Sequence, residues 1–471
     1  MSEQPKKPET HIEYLYVDTP TIHPRVVKGL HRSLKTWLGV VLLGLTAFVP
    51  WIRWDRGPDM PSQAIMFSFA DMRAYIFDTV IWAQQFYLLT GVLILACLVL
   101  FLATAVYGRV WCGMACPQTV WTDLFVRIER LAEGDRNARL KLEQEPWTAN
   151  KIARKVYKHA LWLVVSAITG IIFLGFFTDI VQVVKTLPTG EASATIYGFF
   201  ALFAGGTYVM AGWVREQMCI YMCPWPRIQG GMLDEFTLNV AYDQARGEPR
   251  AHAKRGVGFE NRGHCVDCNM CVQACPTGID IREGAQMACI NCGLCIDACD
   301  AVMTRFNLPT KLIGWRNLSQ GDTQIQPKLL RPRTLIYIGL IVVVSLGILV
   351  ATDMRREIDL SVLADRSPSS VRLGDGSVRD GFTVKMVNRR HETITGQLTV
   401  TGIPGIHLSQ LSGEQSVDVL HVTADPDTVT TIRVFIHQDA DAPKSDHASI
   451  LFSFNDGVAS AKSVFQVDQV Q

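Results

Sequence analysis

The run LLTGVLILACLVLFLATAV carries no charge and is long enough, as a helix, to cross a bilayer. In hydrocarbon a backbone must satisfy its own hydrogen bonds, so a span of this kind can only be a helix or part of a closed barrel. The run belongs to the second of five such segments: Leu34 to Ile52, Phe86 to Tyr107, Ala160 to Val184, Ile196 to Trp213 and Thr334 to Thr352. The fourth is short and rich in Gly and Ala, which lets its backbone approach a neighbouring helix. Apolar residues make up 48% of the 471, yet 19% are charged, the mixture expected when spans alternate with soluble segments. Buried helices of a soluble protein fit poorly, because one chain seldom holds several runs of this length.

Lys and Arg near the spans report orientation. Arg25, Lys28 and Arg32 precede the first span and Lys35 stands at its start. The loop 109–159 is dense in cations, including Arg127, Arg130, Arg136, Arg139, Lys141, Lys151, Arg154, Lys155 and Lys158, whereas the loop after the third span offers only Lys185. The expected layout is a cytoplasmic tail over 1–33, with Lys6, Lys7 and Glu9 and no cleavable signal. A four-helix membrane region follows over 34–213, with loop 109–159 inside. A cytoplasmic region over 214–333, a fifth span over 334–352 and an outer domain over 353–471 complete it. The formal net charge of +1 gives no reason to expect nucleic acid, and the basic loop reads as a solvated positive-inside loop.

Of thirteen cysteines, Cys97 lies in a span and none follows Cys299. This argues against a disulfide framework and for thiolates kept free in a reducing compartment. Cys265 opens C-V-D-C-N-M-C-V-Q-A-C-P and Cys289 opens C-I-N-C-G-L-C-I-D-A-C-D, two C-x2-C-x2-C-x3-C runs. Three closely spaced cysteines wrap one cubane and the fourth crosses to the other. The predicted sets are Cys265, Cys268, Cys271 and Cys299 for one [4Fe-4S] cluster, and Cys289, Cys292, Cys295 and Cys275 for the second. Asp300 stands where the second run would end in proline, which touches a turn and no ligand. Zinc sites pair well-separated C-x2-C elements and fit less well. The cluster domain is expected at about 255–310.

A second chemical feature occurs twice: Cys112 and Cys116 before Pro117, and Cys219 and Cys223 before Pro224, each at the inner exit of an even-numbered span. If each C-x3-C stays helical, its two sulfurs share a face, while the proline starts a new helix and leaves Cys116 and Cys223 at helix N-termini. One such pair would pass for small apolar packing residues, but repetition at equivalent positions favours a ligand motif. The expectation is a soft thiolate site beneath the membrane, supplemented by Met114, Met218 or Met222, with Cu(I) as the ion such ligands select. His264 and His252 read as solvated or hydrogen-bonded, and Cys97 as packing. There is no Gly-rich nucleotide fingerprint and no C-x-x-C-H haem motif.

Beyond Arg355 the pattern changes to short strands: FTVKMV, QLTVTGI, VDVLHVTA, TTIRVFIH, ILFSFND and SVFQV. Gly374-Asp375-Gly376, Asp425-Pro426-Asp427 and Asn455-Asp456-Gly457 supply turns, and the spacing suggests a small immunoglobulin-like β-sandwich without cysteine. The fold class expected is therefore an α-helical membrane protein with five transmembrane helices, a cytoplasmic bacterial-type 2[4Fe-4S] ferredoxin-like domain and a C-terminal immunoglobulin-like β-sandwich.

Five spans, two C-x3-C-P repeats, a dicluster loop and a terminal β domain together resemble the cytochrome c oxidase accessory protein family, known as CcoG, FixG or RdxA. The resemblance covers nearly the whole chain. It implies a bacterial inner-membrane oxidoreductase that reduces Cu(II) to Cu(I) for assembly of cbb3-type cytochrome c oxidase, with Cys112, Cys116, Cys219 and Cys223 as the copper site. Implied partners are copper, the oxidase or its copper-delivery factors, the membrane and an unidentified electron donor, with a homodimer as an option. The clusters would face the cytoplasm and the β domain the periplasm. Two other readings stay open. One is a quinol dehydrogenase similar to NapH-type membrane ferredoxins, passing electrons to a reductase. The other is an assembly scaffold whose clusters sense redox state. Acidic and histidine residues are nearly lacking from the spans, which modestly favours copper over quinol.

Overall fold

A helix of 22 residues rises about 33 Å, enough to cross a hydrocarbon core of about 30 Å. Among the described residues of the computed structural model, five helices are long and apolar enough to do so. Residues 21–57, 60–252, 259, 262–317, 330–354, 357–365, 370–374, 376–390, 392–410, 417–442 and 447–466 are described. Lys6, Lys7 and Glu9 of the predicted tail, Arg355 and the turn residue Asp375 lie outside them. The chain divides into two compact units, Met1–Leu349 and Val350–Gln471.

The five are Leu30–Phe48, Phe86–Tyr107, Ala149–Leu174, Ala194–Thr207 with a π-helical continuation Tyr208–Val214, and Pro332–Asp353. Their outward side chains are apolar and exposed, as at Leu93 (61%), Leu202 (62%) and Val343 (66%), a surface suited to lipid. The third helix corrects the predicted Ala160–Val184. It begins at Ala149, where Thr148 Oγ1 accepts the Lys151 N–H at 3.3 Å, and ends at Leu174. A separate helix, Ile180–Thr189, then starts on an Asp179 cap.

The cations of its first turns looked like loop residues because nothing local neutralises them. Glu133 of the neighbouring helix Pro117–Glu133 does so, meeting Lys155 at 2.9 Å and Lys158 at 3.0 Å. Glu129 meets Arg139 at 2.8 Å and Arg215 at 2.5 Å. Much of the basic loop is therefore a buried ion-pair network rather than a solvated face. Close approach of the third and fourth helices uses Gly170, where a Cβ would lie 3.1 Å from that of Ala204. Gly198, Gly205 and Gly206 of the fourth helix face open space.

At one end of the bundle the segment before the first long helix, the helix Pro117–Glu133 and the cysteine-rich region meet: Arg130 donates to the Pro24 carbonyl at 3.3 Å, and the Arg25 N–H donates to the Gln273 carbonyl at 2.8 Å. The antiparallel strands Leu238–Tyr242 and Ile313–Asn317 close the cysteine-rich region. At the other end Arg53 pairs with Asp179 at 2.5 Å. A three-stranded meander there, Ile65–Ser68, Arg73–Ile76 and Thr79–Trp82, is too short for a sequence signal of its own.

In the second unit one sheet orders Ile406–Ser409, Val429–Gln438, Val378–Asn388 and Ile358–Ala364, with Val371–Arg372 also on Val378–Asn388. The other orders Val419–Ala424, Ile394–Thr401, His447–Phe454 and Ala459–Gln466. Phe382 of the first meets Phe452 of the second, ring centres 5.4 Å apart, in a core shared with Phe454 and Phe465. This is the sandwich, with Ile358–Ala364, Val371–Arg372 and Ile406–Ser409 added to the strands the alternation suggests. Asn455 (φ 45°) and Gly457 (φ 104°) turn its last hairpin in a region of φ that few side chains tolerate.

Candidate metal and electron-transfer centre

The two cysteine runs repeat in backbone as well as in sequence. Asp267 and Asn269 of the first, and Asn291 and Gly293 of the second, stand at equivalent positions and all have positive φ. These are the residue types that enter the left-handed region at least cost, and the resulting turns fold each run into a cup. The helices Met270–Ala274 and Leu294–Arg305 follow at once.

Cys299 lies close enough to Cys271, Cys265 and Cys268 to sense their charge. Cys295 does the same with Cys292, Cys275 and Cys289, and those four line one cavity with Cys271, Ile279 and Ile281. Burial pushes the Cys271 thiol up to about 11 and those of Cys289 and Cys299 up to about 12. Thiols so placed do not ionise alone; a bound cationic core would take up their charge. The donor set therefore fits iron–sulfur clusters. Among the described residues no three His, Cys, Asp or Glu side chains converge tightly enough for a single metal ion.

The C-x3-C-P repeats sit at breaks between helices. Cys112 rides on the short helix Val110–Met114, and Cys116 is the N-cap of Pro117–Glu133. Cys219 lies in a π-helical turn, Met218–Met222, rather than in the α-helix that one-face spacing assumes. Cys223 stands one residue before the Pro224 cap of helix Trp225–Met232. The two pairs come together. Burial, then Cys116 and Cys219, push the Cys112 thiol up to about 12; burial, then Cys116 and Cys223, push that of Cys219 up to about 11. All four line a cavity of about 380 Å³ with Met218, Met287, Trp111 and Trp225. Cys112 Sγ donates to Gln229 Oε1 at 3.1 Å. Met287 was not foreseen, and Met114 and Met222 do not line the cavity.

This cavity abuts the second cysteine run. At Gly113 an added Cβ would lie 2.5 Å from the Ile290 carbonyl oxygen and 2.9 Å from the Cys292 nitrogen, so only glycine permits the contact. Two buried cations span the junction. Arg109 neighbours both Cys112 and Cys289, and donates to the Cys289 carbonyl at 3.3 Å. Lys35, 4% exposed, neighbours both Cys219 and Cys292. Neither had a sequence signal, because a lone cation gains its meaning from partners far along the chain.

Asp297, between Cys295 and Cys299, joins the cysteine-rich region to the first span. Its carboxylate accepts from the Arg32 N–H at 2.7 Å and the His31 N–H at 3.3 Å, capping a helix whose own N-cap, Gly29, has no side chain to offer. His31 Nδ1 also meets Asp297 Oδ1 at 2.9 Å, and Trp315 donates to His31 Nε2 at 3.0 Å. Asp297→Ala is expected to weaken this junction by about 2 kcal/mol. Amide exchange at His31 and Arg32 should quicken with the rest of the first span protected; unchanged exchange there would contradict the capping role. Of the lower-ranked residues, Cys97 is partly buried in its span, the His252 side chain is 85% exposed, and His264 packs edge-on against Phe259.

Apolar helices that end at a cysteine-lined junction define a membrane iron–sulfur protein built for electron transfer. Residues 214–318 match the family described as "4Fe-4S dicluster domain", residues 88–133 "4Fe-4S binding domain", and residues 348–468 the "IG-like fold at C-terminal of FixG". Protein RdxB of Cereibacter sphaeroides is 42% identical over 448 residues, 93% of either chain. Nitrogen fixation protein FixG of Rhizobium meliloti is 41% identical over 457 residues, 90% of this chain and 87% of that one. Protein RdxA of Cereibacter sphaeroides is 42% identical over 415 residues, 86% of this chain and 87% of its own. The chain belongs to the FixG/RdxA family.

Proposed function

We propose that this protein passes single electrons from two [4Fe-4S] clusters to Cu(II), yielding Cu(I) for assembly of a cbb3-type cytochrome c oxidase. Cys265, Cys268, Cys271 and Cys299 would hold one cluster, and Cys289, Cys292, Cys295 and Cys275 the other. Bound there, each cluster would carry one electron at a time, which matches the one-electron copper couple. The observation that carries the reading is the contact of Gly113 with Ile290 and Cys292, which sets the C-x3-C-P cavity against the second cysteine set. Met218 and Met287 add soft sulfur to a wall of thiols, the chemistry that favours Cu(I) over harder ions. The positive-inside pattern supports a bacterial inner-membrane protein with clusters and thiols in the cytoplasm and the β domain in the periplasm, where it would dock the oxidase or an assembly factor.

Lys35 and Arg109 favour added negative charge at the junction. Lys35→Met is expected to lower the reduction potential of the cluster nearest Cys292 by tens of millivolts in a redox titration followed by EPR. An unshifted potential would remove Lys35 from the account.

A second reading has one observation in its favour. A cavity of about 260 Å³ lined by Gln118, Trp121, Phe173, Phe203 and Met210 adjoins Pro117 among the apolar helices, a place where a quinol could deliver electrons. Stopped-flow mixing of anaerobic protein separates the readings. Oxidation of reduced clusters by Cu(II) supports the first, reduction of oxidised clusters by a short-chain quinol supports the second, and inertness to both leaves a scaffold.

A further inference from the structure

Cys219 also lines a second cavity, which lies where the segment before the first long helix crosses Pro117–Glu133. It holds about 60 Å³, room for about four to six waters at the 10–15 Å³ that each requires. Five cations line it: Arg25, Arg32, Lys35, Arg130 and Arg215. Two carboxylates, Asp123 and Glu216, stand among them. Asp123 is already engaged, by Arg32 at 2.7 Å and Arg127 at 3.2 Å. Glu216 has no cation within ion-pair distance among the described residues, and burial pushes its carboxyl up, toward the neutral form.

The other cations lack an answering charge in full. Lys35 is 4% exposed, and its ammonium makes no hydrogen bond or ion pair among the described residues. Arg25 meets neutral partners, Met270 Sδ at 3.2 Å and Gln273 Oε1 at 3.4 Å. Arg130 donates to the Pro24 carbonyl, yet its Nε is buried without a partner among the described residues, and Arg32 and Arg139 press further positive charge on it. Arg215, 6% exposed, pairs with Glu129 and leaves Nη1 buried in the same way. Thiolates at Cys219 and Cys292 would draw Lys35 from one side but would leave Arg130 among its like-charged neighbours. A buried charge without a counter-charge is costly, and a bound anion offsets that cost. Guanidinium forks, with the hydroxyls of Thr122 and Thr277 on the same wall, suit oxygen acceptors.

We infer that this cavity binds one small oxyanion, a phosphate or a short carboxylate, through Lys35, Arg25 and Arg130. The small volume limits the ligand to a few heavy atoms. The anion sits beside Cys219, between the helix Pro117–Glu133 and the two cysteine runs, which reach the wall through Pro276 and Leu294. By cancelling part of the field of Lys35, it lowers the reduction potential of the cluster nearest Cys292. That consequence rests on the electron-transfer reading above, whereas the binding does not.

The test is equilibrium dialysis of full-length protein in detergent at low ionic strength, against radiolabelled inorganic phosphate and, separately, radiolabelled acetate. One site per chain is expected for at least one of them, and the tighter of the two identifies the source. Lys35→Met and Arg130→Gln should each weaken binding by at least about tenfold, the loss expected with one charge-assisted hydrogen bond. Lys185→Met, which removes an exposed cation from the helix Ile180–Thr189, should leave it unchanged. Binding of neither anion, displacement by an equal concentration of chloride, or an equal loss in Lys185→Met would overturn the inference. Because the wild-type isotherm needs no variant, misfolding of Lys35→Met does not blunt the test. A redox titration followed by EPR then reads the consequence: the bound anion should lower the cluster potential in the wild type and not in Lys35→Met. Dialysis involves neither copper nor electron transfer, so clusters inert to Cu(II) would sink the electron-transfer reading and leave the isotherm standing.

Discussion

In the Cys219→Ala/Cys223→Ala variant, cupric reduction is expected to fall by more than the ~100-fold that follows loss of even an outer-shell partner at a metal site. The EPR signals of the ferredoxin-like clusters should remain, because neither cysteine belongs to either C-x2-C-x2-C-x3-C run. The two repeats act as one unit, since each contributes two thiols to a single cavity. Cys112→Ala/Cys116→Ala should therefore cost as much as the first double variant, and the quadruple variant no more. Additive losses would mean two independent sites. The measurement is the initial rate of Cu(I) formation with a Cu(I)-specific chelator, on protein of checked iron content.

Gly113→Val attacks the junction without removing a ligand. Its Cβ would meet the Ile290 carbonyl at 2.5 Å and the Cys292 backbone at 2.9 Å, atoms of the chain that cannot swing aside like the end of a side chain. The short helix carrying Cys112 must back away from the second cysteine run. Overpacking of this kind costs about 1–3 kcal/mol. Electron transfer should slow by at least about tenfold, equivalent to about 1.4 kcal/mol on the barrier, because tunnelling decays steeply with added gap. Iron content should stay at the wild-type value. A normal rate of cluster oxidation by Cu(II) in this variant would show that electrons leave by another route.

What could be read in the sequence was what local spacing encodes. Cluster cysteines lie a few residues apart because one loop must wrap one cubane, so the iron–sulfur class was legible from Cys265 to Cys299. Uninterrupted apolarity gave the long apolar helices, and alternation gave most strands of the β domain. Features that depend on partners distant in sequence were hidden. The first turns of Ala149–Leu174 read as loop because Lys155 and Lys158 are neutralised by Glu133, on another helix. Arg109 and Lys35 looked like ordinary positive-inside residues until the fold set each beside two cysteines. Asp297 gave no hint that it caps a helix more than 260 positions away, at Arg32. The π-helical turn at Met218–Met222 likewise had no signal in the C-x3-C spacing, which assumes an α-helix.

The central claim is that the ferredoxin-like region and the C-x3-C-P cavity form one path ending at Cu(II). Rapid freeze-quench EPR tests it most directly, by mixing anaerobically reduced protein with Cu(II) and following the cluster and Cu(II) signals in the same samples. The account predicts that both signals decay together in the wild type and that both persist in Cys219→Ala/Cys223→Ala. Reduced clusters that outlast Cu(II) in the wild type, or equal decay in the double variant, would contradict it.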